Sequence, residues 1–213
     1  ACFCLSEPNA GSDAGSLTTK ATDCGDHYEI TGTKNFITNG KEADVAIVFA
    51  KTSKTDNHKG ISAFIVETNT PGFSIMKLED KLGIKGSSTA QIALDKVKVP
   101  KENLLGKLEK GYSMGLATLD GGRIGIASQA LGIAVGAYEY ALEYSTQRVQ
   151  FGQSISNFQG LQFILADMKT GIRASQLLIE DANIRKDRGM NYTSEAAQAK
   201  LFASETCMSV TTK

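Results

Sequence analysis

Two hydrophobic periods divide the chain. From Ala1 to about Asn103, short runs of β-branched and aromatic residues recur at His27–Thr31, Asn35–Thr38, Val45–Ala50, Ile61–Val66 and Gln91–Leu94. Turn formers punctuate them at Asp23-Cys24-Gly25-Asp26, Asn39-Gly40 and Thr70-Pro71-Gly72. No helical pattern intervenes, so antiparallel pairing in a barrel or sandwich is predicted over βαβ winding.

Beyond Pro100 the period lengthens. Gly111 to Arg148 holds no proline and carries Leu116, Leu119, Ile126, Leu131, Ile133 and Tyr138 at helical spacings. A second helix is predicted from near Phe158 to Asp187, stopped by Gly189 as its C′ residue. A third is predicted after Thr193, read as an N-cap with Glu195 in the first turn. The fold class is therefore multi-domain α+β: an antiparallel β-barrel or sandwich over residues 1–103, then an up-and-down helical bundle over 104–213.

Composition narrows the classes. The 213 residues carry 23 Lys+Arg against 23 Asp+Glu, and this zero net charge argues against nucleic acid as a partner. The longest apolar run, Val45–Ala50, is far short of the ~18 residues of a membrane span. The four cysteines lack paired zinc-site spacing, so reduced thiols and no metal are expected. The chain opens on Ala1-Cys2-Phe3 without an initiator Met, and Ala196–Lys213 reads as an unfinished helix. A piece of a longer protein is expected.

Candidate chemistry collects in a few segments, each with a plainer alternative. The loop Cys4–Gly15 (CLSEPNAGSDAG) can turn N–H groups and the Ser6 and Ser12 hydroxyls toward carbonyl or anionic oxygens, or it is a surface turn. Lys34–Gly40 offers the flat wall of Phe36 and the hydroxyl of Thr38, or it is a hairpin. The first long helix contains Gly111, Gly115, Gly121, Gly122, Gly125, Gly132 and Gly136, each costing about 1 kcal/mol against Ala. Close helix packing explains them, or a ligand approaching near Gly121-Gly122 does. All five arginines lie in the helical half, and Arg123, set among glycines and apolar residues, wants an anionic partner. Arg148 suits a helix C-terminus, and Ser156 with Gln159 has capping-box spacing. Gly83–Thr89 lacks phosphate-loop order, no G-x-G-x-x-G follows a strand, and His27 and His58 are expected at the surface.

In order and spacing, Leu5-Ser6-Glu7-Pro8 with Ala10-Gly11-Ser12-Asp13, Phe36–Gly40, Lys81–Ile84 with Ser87-Ser88-Thr89, Leu119–Ala127, Arg148–Gly152 and Phe158–Leu161 resemble the acyl-CoA dehydrogenase family. The resemblance covers essentially the whole chain and is closest to the short-chain, butyryl-CoA branch. It implies a flavoprotein with an N-terminal helical domain, a middle β-barrel and a C-terminal four-helix bundle, of which this chain holds the barrel and most of three helices. Phe3, Leu5, Ser6 and Ser12 would line FAD, and Ser12 would also reach the CoA side. Phe36, Ile37 and Thr38 would pack on the flavin ring; the family often has Trp where Phe36 stands. Asp120, Gly121, Gly122 and Arg123 would contact the acyl-CoA. Arg148, Phe151 and Gln159 would reach the FAD of a neighbouring subunit, implying a homo-oligomer, dimer or tetramer.

By the same resemblance, a carboxylate removes the α-proton of the thioester, the β-hydride goes to the flavin, and an electron-transfer flavoprotein reoxidises it. The short-chain branch draws its glutamate base from a position after Lys213, and Gly122 stands where other branches place theirs. No catalytic residue is therefore expected within these residues, and the chain by itself is expected to be inactive. A flavin-free binding or assembly piece of the same fold is the alternative. Bacterial cytoplasm and the mitochondrial matrix both fit.

Overall fold

A computed structural model describes residues 1–53 and 58–213. The chain divides into two compact units, Ala1–Leu116 and Ala117–Lys213. Among the described residues no helix is long and apolar enough to cross a membrane.

The first unit is built on an eight-stranded sheet: β1 (Cys2–Cys4), β2 (Lys20–Asp23), β3 (His27–Thr38), β4 (Val45–Lys51), β5 (Ile61–Glu67), β6 (Phe73–Leu78), β7 (Thr89–Pro100) and β8 (Leu104–Leu105). The order is β6-β7-β3-β2-β4-β5-β8, with β1 on β4, an open sandwich-like sheet rather than a closed barrel. Ile30, Val48, Phe64, Ile92, Val97 and Val99 fill its core. Most pairs are antiparallel as expected, but β1 and β2 both run parallel to β4. Cys4 pairs with Val48 and Lys20 with Lys51, so residues 5–19 leave the β4 edge as a loop and rejoin it three positions on. The sequence pattern cannot reveal this detour, because neither short strand neighbours β4 in the chain.

The longest ladder, β3 against β7, contains a bulge that matters for the site. Lys34 pairs with Ile92 and Ile37 with Ala90, so three steps on β3 match two on β7. Phe36 takes the extra position at φ 57. Side-chain parity flips there: Tyr28, Ile30 and Lys34 face inward, then Ile37 does, and Phe36 is left outside.

The second unit contains most of α1 (Gly111–Gln147), the hairpin β9 (Val149–Gln150) and β10 (Gln153–Ser154), α2 (Gln159–Asp187) and α3 (Thr193–Thr212). Its core joins Ile124, Ala127 and Ala134 of α1 to Met168, Ile172 and Ile179 of α2 and Ala196, Ala199 and Ala203 of α3. Small residues here let α2 and α3 approach closely, Gly171 resting against Thr206. Gly189 ends α2 as expected: at φ 65 it donates to Lys186, and Met190 N–H reaches Arg185 O, completing a Schellman motif.

Two cap expectations are corrected. Thr193 is the first helical residue rather than the N-cap; Asn191 Oδ1 accepts its N–H at 3.1 Å, and the Thr193 hydroxyl turns instead to Asp120. Ser156 and Gln159 form no capping box: Ser156 pairs with Ser154 at 2.8 Å, and α2 begins at Gln159 with no side-chain cap.

Candidate active site

In the first unit the residue 5–19 loop is fastened from inside. Glu7 and Ala10 exchange backbone hydrogen bonds of 2.9 and 3.1 Å, closing a turn over Pro8-Asn9. The Glu7 side chain is buried: Oε2 accepts from Thr18 N at 2.6 Å and Thr18 Oγ1 at 2.8 Å, and Oε1 from Thr19 N at 3.0 Å. Lys34 Nζ, wholly enclosed, donates to Glu7 Oε1 at 2.8 Å and Leu5 O at 3.2 Å. Burial pushes the Glu7 carboxyl up, but the Lys34 charge and these hydrogen bonds outweigh it and bring its pKa to about 2. Burial drives Lys34 down against the opposing pull of Glu7.

This clamp sets the loop beside the bulge. Asn35 N–H donates to Ser6 O at 2.8 Å, so Ser6 sits one residue from Phe36 across a main-chain bond. Phe36 is 65% exposed in a left-handed conformation that costs about 1–2 kcal/mol for a non-glycine residue. Thr38 is exposed as well, whereas Ile37 is 1% exposed and points into the core, so it offers no side chain to a ligand. Phe3 packs on Phe49 with ring centroids 4.9 Å apart, Leu5 is buried, Ser6 is half-buried and Ser12 is exposed. Asn35 Oδ1 is buried beside them with no hydrogen-bond partner.

In the second unit Arg123 does not occupy the buried position that its neighbours suggest. Its side chain is about 40% exposed, and it pairs with Asp120 one turn back. Thr193 Oγ1 donates to the other Asp120 oxygen at 2.7 Å, fixing the carboxylate from α3. A Cβ at Gly121 would lie 3.8 Å from Lys186 Nζ, while Gly122, Gly125, Gly132 and Gly136 face open space. Among the described residues no helix packs on these last four. Arg148 leads into the short hairpin and Gln159 opens α2 just after it: Phe151 at φ 52 and Gly152 at φ 74 form the hairpin turn, and Phe151 meets Phe158 edge-on at 6.1 Å. Phe151 is 94% exposed.

Residues 2–97 match the family model for the acyl-CoA dehydrogenase middle domain, and residues 109–213 that for the C-terminal domain. The chain belongs to the acyl-CoA dehydrogenase family. It is 51% identical over 98% of its length to the short-chain-specific acyl-CoA dehydrogenase of Clostridium acetobutylicum, covering 55% of that protein. Caffeyl-CoA reductase-Etf complex subunit CarC of Acetobacterium woodii is 46% identical over 99% of the chain, with 56% of its own length covered. Among solved structures, butyryl-CoA dehydrogenase from Megasphaera elsdenii superposes with a TM-score of 0.97 at 51% identity, over 99% of this chain and 55% of that one. The chain thus spans about half the length of the relatives it matches.

Within this acyl-CoA dehydrogenase fold, sequence reasoning passed over the Lys34–Glu7 pair. Its signal was present: Lys34 falls on the inward parity of Tyr28 and Ile30, where a lysine demands an enclosed anion. The Thr193–Asp120 bond, which links residues 73 apart, left no local mark.

Proposed function

We propose that the chain belongs to an FAD-dependent short-chain acyl-CoA dehydrogenase that converts an acyl-CoA to its trans-2-enoyl-CoA, with 1–103 as middle domain and 104–213 as part of the C-terminal bundle. The observation that carries this reading is Phe36, an aromatic side chain left exposed on a strained bulge beside a clamped, hydroxyl-bearing loop. Backbone strain of this kind persists where the surroundings enforce it and gathers at ligand sites.

The residues present fit a flavin. Phe36 offers a flat apolar wall, Ser6 and Thr38 offer hydroxyls, and the unpartnered Asn35 Oδ1 offers a buried acceptor. Phe3 and Leu5 back the loop, Ser12 serves the rim shared with the CoA side, and Ile37 supports the bulge from the core. When bound, FAD supplies the acceptor for the substrate's β-hydride. Arg123, its guanidinium aimed by Asp120, presents remaining donors to oxygens of the CoA thioester. Open space at Gly122 lets the ligand come close to the α1 backbone.

Arg148, Phe151 and Gln159 are assigned to the cofactor of a neighbouring subunit, for which a bare phenyl ring at a hairpin tip is suited. An exposed apolar row on α1 (Leu119, Ile126, Ile133 and Tyr140) supports a homo-oligomer. Electrons leave to an electron-transfer flavoprotein, in keeping with a relative whose name places it in an Etf complex. The proton-abstracting carboxylate comes from outside these 213 residues, since glycine at 122 offers no base.

The test is anaerobic addition of butyryl-CoA to the FAD-loaded full-length protein. Bleaching of the flavin band is expected, and Phe36→Ala and Thr38→Val should weaken FAD retention. A colourless protein that takes up no FAD would favour the flavin-free assembly role and overturn the reading. Enzyme-like bleaching by the 213-residue chain alone would overturn the placement of the base.

A further inference from the structure

Outside the flavin region, the turn joining β2 to β3 gathers three metal-ligating side chains. Cys24, His27 and Glu29 bring a thiol, an imidazole and a carboxylate oxygen within 4.8 Å of one another. His27 and Glu29 share one face of β3 by strand parity, and Cys24 reaches them across the turn, which a Cys24 N–H to His27 O bond of 2.9 Å closes.

The histidine is already oriented as a ligand. Its Nδ1 lies 2.6 Å from Asp26 Oδ1, a carboxylate contact of the kind that orients a metal-ligating imidazole and turns Nε2 toward Glu29. Nε2 is shielded from water and has no hydrogen-bond partner; Glu29 Oε1 stands 3.9 Å away. A shielded imidazole nitrogen thus faces a carboxylate across that gap, with a thiol within 4.8 Å of both. The neighbouring Asp23 is committed elsewhere, to Lys101 and to Gly25 N–H at 2.9 Å. Lys98 stands opposite Glu29 in the β3–β7 ladder.

We propose that Cys24 Sγ, His27 Nε2 and Glu29 Oε1 form a zinc site, with water in the fourth position and Asp26 as positioning residue. A mixed sulfur, nitrogen and oxygen set suits zinc rather than magnesium or calcium, which take oxygen alone. Ligands about 2.0–2.3 Å from one tetrahedral ion stand about 3.3–3.7 Å apart, so side-chain rotation closes the present spacing. On binding, the Cys24 S–H bond breaks, its proton passes to solvent, and an S–Zn bond forms. Spacing arguments passed over this set because Cys-x-x-His-x-Glu is not a paired-cysteine pattern, and only the hairpin brings its ends together.

The experiment is titration of the chelator-treated full-length protein with Zn²⁺ against a colorimetric chelator, and with Co²⁺ as a spectroscopic probe. One saturable equivalent is expected, unaffected by excess Mg²⁺, and Co²⁺ should give tetrahedral bands in the red with thiolate charge transfer. Cys24→Ser should remove the charge-transfer band, His27→Gln should weaken binding at least tenfold, and Asp26→Asn by about 10–100-fold. Cys207→Ser, in the other unit, should change none of these. Absence of saturable binding, or binding that persists in the Cys24→Ser/His27→Gln double variant, overturns the proposal.

Discussion

The two units hold their candidate ligand groups in opposite ways. In the sheet unit, Glu7 and Lys34 are buried charges whose hydrogen bonds tie the residue 5–19 loop to the bulge at Phe36. In the helical unit, Asp120 and Arg123 form a half-exposed pair on one helix, adjusted by a single hydroxyl from Thr193. A loop has no ladder to hold it, so its geometry rests on an enclosed ion pair that is expensive to break. A helix is rigid already, so its pair aims a side chain and adds little stability.

Removing one buried partner of the Glu7–Lys34 pair should have the largest effect. Glu7→Gln or Lys34→Met should each cost about 3–5 kcal/mol in denaturant unfolding, because the other charge is left enclosed. The double variant Glu7→Gln/Lys34→Met should recover much of the loss. Equal, additive losses would show that the pair is not the clamp.

Acidification tests the same clamp without mutation. The Glu7 carboxyl lies at about 2 in the fold against an ordinary 4.5, so its contribution is fully present above 4.5. It is lost as pH falls from there toward 2. Unfolding free energy should drop steeply over that window, and Glu7→Gln should flatten the slope.

Glycines of α1 sharpen the contrast with one substitution of opposite sign. A Cβ at Gly111 would lie 2.5 Å from the Ser62 backbone, so Gly111→Ala should destabilise by about 1–3 kcal/mol. Gly125→Ala and Gly132→Ala meet open space and should stabilise by up to about 1 kcal/mol by thermal unfolding. Smallest of all, Asp120→Asn should change stability by less than about 1 kcal/mol. Its effect should fall on the KM for the CoA thioester instead.

Much of the β half could be read in the sequence because β3 and β7 alternate over most of their lengths while the apolar runs of β4 and β5 are buried almost throughout, and Gly189 signalled the end of α2 through its backbone freedom. The Phe36–Thr38 segment was found as a candidate, yet its bulge was not. Ile37 turned inward because Phe36 took the extra position, a matter of pairing with β7 rather than of composition. Arg123 was correctly read as needing an anion, but its partner lay on the same helix and its burial was overstated.

By itself the amino-acid order determined the element types, the switch of period after Pro100 and the ordered motifs that mark the family, since each depends on residues near one another in the chain. Tertiary structure decided the parallel run of β1 and β2 along β4, the closure of Lys34 on Glu7, the Thr193–Asp120 bond and the meeting of Cys24 with His27 and Glu29. These require segments to be brought together by a shared core. Local preference gives no energy for such contacts until burial has already placed the partners side by side.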